Sequence, residues 1–178
     1  MQIFYYISLL SCIGYYAWVL HKFGIPSALS QSAYLFGSNG IIKFPIAILL
    51  IAAPLAPYWY GVAYNQHQWI TLLIIFGMFC VAFTPRFKQG TLSIKRKVHF
   101  GGAILAAVLS QVWVWITFGG NVWVYSLIAV GVALCLGYLT PGRTRDLETN
   151  KIYYRPSYFF WLQIVCFASI YISLFPLL

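Results

Sequence analysis

The chain has 178 residues, of which 62% are apolar and only 7% are charged, and its formal net charge is +9. Soluble domains carry about 25% charged residues, so this composition excludes a water-soluble globular domain and indicates a protein that lies in a lipid bilayer. The basic residues stand in short segments between apolar runs, which is typical of topology signals and lipid contacts rather than of nucleic-acid binding. We therefore expect membrane lipids as partners and no nucleic acid.

Six apolar runs cover most of the chain, and each is close to the roughly 20 residues that a helix needs to cross a bilayer. The sequence therefore predicts an all-α fold, an integral membrane bundle of six transmembrane helices that forms a single domain over residues 1–178. The first run has no positively charged residue before it, so we expect a retained span rather than a signal peptide. The predicted spans are at about residues 3–20, 44–64, 69–84, 98–118, 122–140 and 157–178.

The segment between the first two spans is too polar to cross the membrane, and it predicts a short interfacial helix over Pro26–Phe36. These eleven residues make a helix about 16 Å long, half of a span. Ser27, Ser30, Gln31 and Tyr34 share one side of that helix, and apolar residues share the other. This division is typical of a helix at the membrane surface or packed over the bundle. The alternative is a re-entrant half-helix whose polar side lines a pathway, so Ser27, Ser30 and Gln31 are candidate ligand-binding residues.

All eleven basic residues lie in the first, third and fifth connections between predicted spans, and the other connections and both chain ends contain none. Connections rich in Lys and Arg stay in the cytoplasm. The sequence therefore predicts a multi-pass protein of the cytoplasmic (inner) membrane whose two termini are external. The basic residues of the three connections are, in order, Lys22 and Lys43; Arg86, Lys88, Lys95, Arg96 and Lys97; and Arg143, Arg145, Lys151 and Arg155.

The densest basic stretch, RFKQGTLSIKRK, comes just before the fourth predicted span. A Lys or Arg near an anionic bilayer surface gains about 1 kcal/mol from the surface potential. We therefore predict that Arg86, Lys95, Arg96 and Lys97 contact anionic lipid head groups at the cytoplasmic face.

The predicted spans contain no Asp, Glu, Lys or Arg. Ion-coupled pumps and proton relays place ionisable groups at membrane depth, so the sequence argues against both. The three histidines are divided between the two faces of the predicted bundle, whereas a catalytic zinc needs about three convergent protein ligands. The four cysteines include no CxxC pair, and such a pair would mark a redox or zinc site. We predict no catalytic residue and no metal site.

Two histidines and one glutamine are further candidates for binding. His21 ends the first span and His99 opens the fourth, so the pair is a candidate haem or quinone site at one membrane depth. The alternative is that both histidines bond to connections or to lipid phosphates, and we expect no other cofactor. Gln111 lies in the middle of the fourth span, where it either contacts a ligand or forms an interhelical hydrogen bond worth about 0.6–2 kcal/mol.

The stretch FTPRFKQGTLSIKRKVHFGGAILAAV resembles part of a bacterial domain-of-unknown-function family of six-span membrane proteins. Those proteins have a proline-terminated third span and a histidine that opens the fourth, which correspond here to Pro85 and His99. The stretch PSALSQSAYLF is similar to a segment of small uncharacterised membrane proteins of bacterial and prophage origin. Together the resemblances cover about a third of the chain and imply six spans and a role for His99. The basic connection is longer here than in that family.

The sequence favours a non-enzymatic integral membrane protein, an accessory or structural subunit. Its binding partner would be lipid, a small apolar ligand, another membrane protein or a second copy of the chain. One alternative is a small transporter or channel for a neutral or anionic solute. Another is an electron carrier that holds haem or quinone through His21 and His99.

Overall fold

The computed structural model describes residues 2–63, 67–86, 93–146 and 149–175. Their regular structure consists of six long α-helices, one single-turn α-helix, two 3-10 turns (Leu29–Gln31 and Gly37–Asn39) and one β-hairpin. The helices and strands, in chain order, are α1 (Gln2–Phe23), α2 (Ser32–Leu35), α3 (Gly40–Val62), α4 (Gln68–Phe83), α5 (Ile94–Phe118), α6 (Val122–Leu139), β1 (Pro141–Arg145), β2 (Ile152–Pro156) and α7 (Tyr158–Leu174).

Each long helix begins within four residues of a predicted span. Four of them have the length and hydropathy to cross a membrane, namely α1, α3 with the turn before it, α5 and α6. The helices α4 and α7 are apolar but have only 16 and 17 residues in the described part of the chain, about 24–26 Å against roughly 30 Å of hydrocarbon. The helical fold is confirmed and four spans are supported, whereas a set of six spans stays a prediction.

The long helices pack mainly on their neighbours in the chain, α1 on α3, α3 on α4 and α4 on α5, while α7 packs on both α5 and α6. Aromatic side chains fill the centre of this bundle. Trp59 of α3 and Trp113 of α5 are fully buried, and their rings meet edge to face with centroids 5.2 Å apart. An aromatic pair of this kind adds about 0.5–1.5 kcal/mol beyond its buried area, so it stabilises the packing of α3 on α5.

Two close helix contacts depend on the absence of a side chain. A Cβ atom on Gly102 of α5 would lie 2.5 Å from the Cβ of Cys80 and 2.7 Å from the carbonyl oxygen of Gly77, both in α4. A Cβ atom on Gly137 of α6 would lie 2.6 Å from the Cα of Tyr158 in α7. Small residues that let backbones approach are typical of helix contacts in membranes, and here they join helices of the same chain.

Helix α3 continues through Pro45, Pro54 and Pro57. Each proline lacks the N–H that would bond to the carbonyl four residues earlier, and membrane helices tolerate this because neighbouring side chains supply replacement bonds. The prolines leave the carbonyls of Ile41, Leu50 and Ala53 without their usual N–H, and next to Leu50 the Ser8 hydroxyl of α1 donates to the Ile51 carbonyl at 2.7 Å. This bond fixes α1 against the proline-containing part of α3.

The helix predicted over Pro26–Phe36 is wrong in its extent. Pro26 forms an isolated parallel bridge with Arg143 of β1, and only the four residues of α2 are α-helical. The whole of α2 is buried, including Tyr34, which the helical projection places on the polar side. The segment is therefore packed over the bundle, as one of the two interfacial arrangements predicts. Its first residues are extended because their backbone bonds to β1 rather than to itself.

The sequence does not predict the hairpin in the fifth connection. Strands β1 and β2 pair antiparallel along their whole length. The β1 sequence, PGRTR, lacks the alternation of apolar and polar residues that marks a strand. Contacts from distant parts of the chain stabilise it instead: the Ser27 N–H donates to the Arg143 carbonyl at 3.1 Å, and the Arg143 N–H donates to the Ile25 carbonyl at 2.8 Å.

Replacing Gly102 by alanine is expected to lower the midpoint of thermal unfolding in detergent, because the new methyl group would force α4 and α5 apart. Overpacking of this kind costs about 1–3 kcal/mol. The matched control is Gly101→Ala, since a Cβ atom at Gly101 has no neighbour within 4 Å. Equal midpoints for the two variants would show that the close approach of α4 and α5 is wrong.

Candidate functional site

The three connections that carry the basic residues meet in the structure. β1 bonds to residues 25–27 of the first connection. Arg86, in the third connection, donates two hydrogen bonds to the Ala33 carbonyl, at 2.9 Å from Nε and 2.5 Å from Nη2. We call residues 24–39, 84–86, 141–146 and 149–156 the basic cap. These contacts confirm the prediction that the three connections lie on one face of the bundle.

Side chains from distant parts of the chain hold the irregular first connection in place. The Gln163 Oε1 atom of α7 accepts a hydrogen bond from the Leu29 N–H at 2.8 Å. The Thr144 hydroxyl of β1 donates to the Ser27 Oγ at 2.7 Å, and a Cβ atom on Gly142 would lie only 2.6 Å from the Ser27 Cα. The cap is thus a packed layer rather than a set of separate loops.

The face that carries the cap is strongly basic. The described residues include ten of the eleven basic residues, all at this face, and a single acid, Asp146. Partial burial lowers the pKa of the Arg86 guanidinium, an effect that Tyr34 opposes and the nearby charge of Arg145 reinforces. An arginine stays charged in proteins despite such shifts. The fold therefore brings cations close enough to repel one another, and an anion bound among them would relieve that repulsion.

A groove of about 370 Å³ runs between α3, α4 and the start of α5, beside the cap. Its volume lies within the range of about 300–1,000 Å³ that is typical of ligand-binding clefts. Two cationic residues, Arg86 and Lys95, lie on its lining, and the apolar part of the lining includes two residues that are largely exposed on the outer surface of the bundle, Ile41 and Phe83. The lining residues in the described part of the chain are Ile41, Pro45, Ala82, Phe83, Thr84, Pro85, Arg86 and Lys95.

The four predicted lipid-contact residues occupy two kinds of position. Arg86 and Lys95 line the groove. Arg96 is half-buried, with its Cζ 5.7 Å from the centroid of the Phe100 ring, and Lys97 is exposed in the first turn of α5. The structure thus brings two of the four to one concave site, and their contact with lipid stays a prediction.

His21 and His99 lie in different surroundings. His99 is buried, and its Nδ1 is 2.9 Å from the Thr84 carbonyl oxygen, so it joins the start of α5 to the end of α4. His21 is exposed in the last turn of α1, a helix that packs mainly on α3. The structure gives His99 a role in helix packing, and a haem or quinone site shared with His21 stays a prediction.

Gln111 forms the interhelical hydrogen bond that the sequence allows. Its Nε2 donates to the Ser169 hydroxyl of α7 at 2.7 Å, while its Oε1 is buried and has no hydrogen-bond partner among the described residues. Ser169 lies six residues beyond Gln163, about 9 Å further along α7 from the basic cap. Gln111 is therefore separate from the other candidate ligand-binding residues.

The remaining candidates for ligand binding lie together in the first connection. Ser27 is half-buried and bonds to Thr144, as described above. Ser30 and Gln31 are also half-buried, and the Gln31 Oε1 is enclosed without a hydrogen-bond partner in the described part of the chain. These side chains belong to the packed cap, and a ligand for them stays a prediction.

The apolar wall of the groove is the part of the site that the sequence does not reveal. Phe83 ends a run in which nearly every position is apolar, and Ile41 lies in the first connection outside the predicted spans, so periodicity gives no sign of their shared surface. Pro45 and Pro85 are read from the sequence as residues that shape or end helices. Their place beside Arg86 depends on how α3 and α4 pack, which a single sequence does not encode locally.

The chain matches no protein-family model, no curated protein and no solved structure. The resemblance to six-span bacterial proteins therefore stays a hypothesis. The proposed function is therefore based on the geometry of the basic cap and the groove and on the interhelical hydrogen bonds.

A double-mutant cycle of Gln111→Leu and Ser169→Ala is expected to show a coupling of about 0.6–2 kcal/mol, the range measured for hydrogen bonds between membrane helices. The measurement is the free energy of unfolding in mixed detergent micelles. The control cycle combines Gln163→Leu with Ser169→Ala, whose effects should add because the two side chains are well separated along α7. Additive effects in the first cycle would contradict the bond.

Proposed function

We propose that the protein is a non-enzymatic, six-span protein of the inner membrane whose basic cap binds the head groups of anionic phospholipids. It acts as an accessory or structural subunit in that membrane. The observation that best supports this proposal is the meeting of three basic connections in one packed layer, with ten described basic residues and one described acid at this face.

The positions of these charges favour contact with the surface of the bilayer. A bilayer that contains anionic lipid attracts basic residues next to a span, at about 1 kcal/mol for each residue near the surface. Lys22, Lys97 and Arg155 are exposed at the cap face, so their charges are available to the surrounding lipid. Several such residues together give a preference for anionic over zwitterionic head groups that no single one would provide.

Aromatic residues beside the cations also support a position at the head-group level. The Nζ of Lys43 is 5.2 Å from the Trp18 ring centroid and 5.1 Å from the Phe36 ring centroid. The exposed fraction of Trp18 is 40%. Tryptophan is enriched at membrane–water interfaces, where its ring meets both hydrocarbon and head groups. The pairing of Trp18 with Lys43 is thus suited to the boundary between the acyl chains and the phosphates.

The transporter and electron-carrier hypotheses gain no specific support from the contacts between described residues. The side chains that fill the centre of the bundle are mostly apolar or aromatic, the few buried hydroxyl groups there bond within the protein, and His99 has a packing role. Both hypotheses stay predictions, and lipid binding is the function that the charge distribution favours.

The proposal is tested by reconstitution into vesicles of equal phosphatidylglycerol and phosphatidylcholine, followed by extraction in mild detergent. Lipid retained by the native protein is expected to be enriched in phosphatidylglycerol. The triple variant Lys22→Gln, Lys97→Gln, Arg155→Gln removes three exposed charges and should lose much of that enrichment. The control variant, His67→Asn with Asn121→Gln, changes exposed residues remote from the cap and should keep it. Absence of enrichment in the native protein would contradict the proposal.

The proposed orientation is tested by cysteine labelling in a background in which the four native cysteines are replaced by alanine. Ser38→Cys lies in the cap and His67→Cys lies in the second connection; both positions are exposed. If the cap is cytoplasmic, an impermeant maleimide should label the cysteine at 67 in intact cells and the cysteine at 38 only after permeabilisation. The opposite pattern would reverse the assigned orientation.

A further inference from the structure

The groove beside the cap combines a cationic end with an apolar wall. Arg86 and Lys95 come from different helix ends, yet both line the same cleft of about 370 Å³. Pro45 and Ile41 of α3 and Phe83 of α4 supply apolar surface next to them. This arrangement suits an amphiphile, because its charged head group can contact the cations while its hydrocarbon chain contacts the adjacent apolar wall.

Arg86 lines the groove and retains hydrogen-bonding capacity. Its guanidinium has five N–H donors, and two of its nitrogen atoms, Nε and Nη2, bond to the Ala33 carbonyl. Those bonds fix the plane of the guanidinium and leave Nη1 without an acceptor in the described part of the chain. Fixing a side chain before a ligand arrives reduces the entropy lost on binding, so Arg86 is held ready for an anionic oxygen.

Lys95 supplies a second charge of a different kind. It is exposed in the first turn of α5, so its ammonium group can move to meet a head group. The start of α5 also carries the positive end of the helix dipole, which favours an anion at this position. The two cations thus provide one fixed contact and one adaptable contact.

The apolar wall faces the surroundings of the bundle rather than its centre. The exposed fraction of Ile41 is 52% and that of Phe83 is 71%. In a membrane protein such surfaces contact lipid chains, so a chain entering the groove from the bilayer would cover them without leaving the hydrocarbon region. The occupant is therefore a lipid rather than a free phosphate ion.

Building on the proposed function, we infer that the groove binds one anionic phospholipid with a phosphomonoester head group, of the phosphatidic acid class. The phosphate lies between Arg86 and Lys95, and one acyl chain follows Ile41, Pro45 and Phe83. A phosphate monoester carries a charge of about −1.5 to −2 at neutral pH, which matches the two cations, whereas a phosphodiester head group carries a single charge.

The test is native mass spectrometry of the full-length protein in detergent, titrated with dioleoyl phosphatidic acid. The native protein is expected to bind one lipid molecule more tightly than any that follow. Lys95→Gln should weaken that first binding about fivefold, as expected for the loss of one lysine at an anionic site. Ile41→Trp should abolish the first adduct by filling the groove, and position 41 accepts the larger ring because it is exposed.

Two matched controls separate the groove from the rest of the face. Lys151→Gln removes one exposed charge outside the groove lining, and Leu50→Trp adds the same ring at an exposed position of α3 outside the groove lining. Both should retain the tight adduct. If the two groove variants bind as these controls do, the groove is not the site, while enrichment of anionic lipid by the native protein would leave the proposed function standing.

Two further arms test the identity of the ligand. Dioleoyl phosphatidylglycerol should bind the groove more weakly than phosphatidic acid, and equal affinities would overturn the head-group assignment. A large molar excess of inorganic phosphate should not displace the lipid. Full displacement would show that the site binds a small anion rather than a lipid. Without lipid, the groove variants should have the same midpoint of thermal unfolding as the native protein, which would show that they fold.

Discussion

Two backbone hydrogen bonds between residues 25–27 and Arg143 join the first connection of the chain to the fifth. A segment that is packed over the bundle loses contact with water, so its buried polar backbone groups must find partners within the protein. The first connection has its partners in β1, in the Gln163 side chain and in the Arg86 guanidinium. The cap is thus a consequence of hydrogen-bond satisfaction, and the position of its charges follows from the same bonds.

Arg86 takes part both in the hydrogen bonds of the cap and in the proposed lipid site. Two of its guanidinium nitrogen atoms bond to the Ala33 carbonyl, and the residue also lines a groove with an apolar wall. A lysine at this position would carry the charge without the planar fork that makes paired contacts at fixed angles. Arg86 therefore belongs to both the cap and the groove. A lipid bound in the groove would, through Arg86, also affect the stability of the cap.

The sequence predicts the features of this protein that depend on composition and on periodicity along the chain. Apolar runs give the long helices, and the one-sided distribution of Lys and Arg places three connections together, as the contact of Arg86 with Ala33 confirms. The hairpin and the burial of Tyr34 are not predicted, because β1 is stabilised by bonds to the distant residues 25–27 and Tyr34 is buried by packing over the bundle. The groove is missed for the same reason, since its walls belong to three different helices.

The partners of the first connection also determine when it reaches its final form. Chains are made from the N-terminus and fold as segments become available, but this connection bonds to residues 86, 143 and 163. The polar backbone of the first connection therefore stays in the aqueous layer, without these bonds, until the later helices have entered the bilayer. Helix α7 is synthesised after helices α1 to α6 and carries Gln163, so the connection between α1 and α3 completes its hydrogen bonds only after α7 has been made.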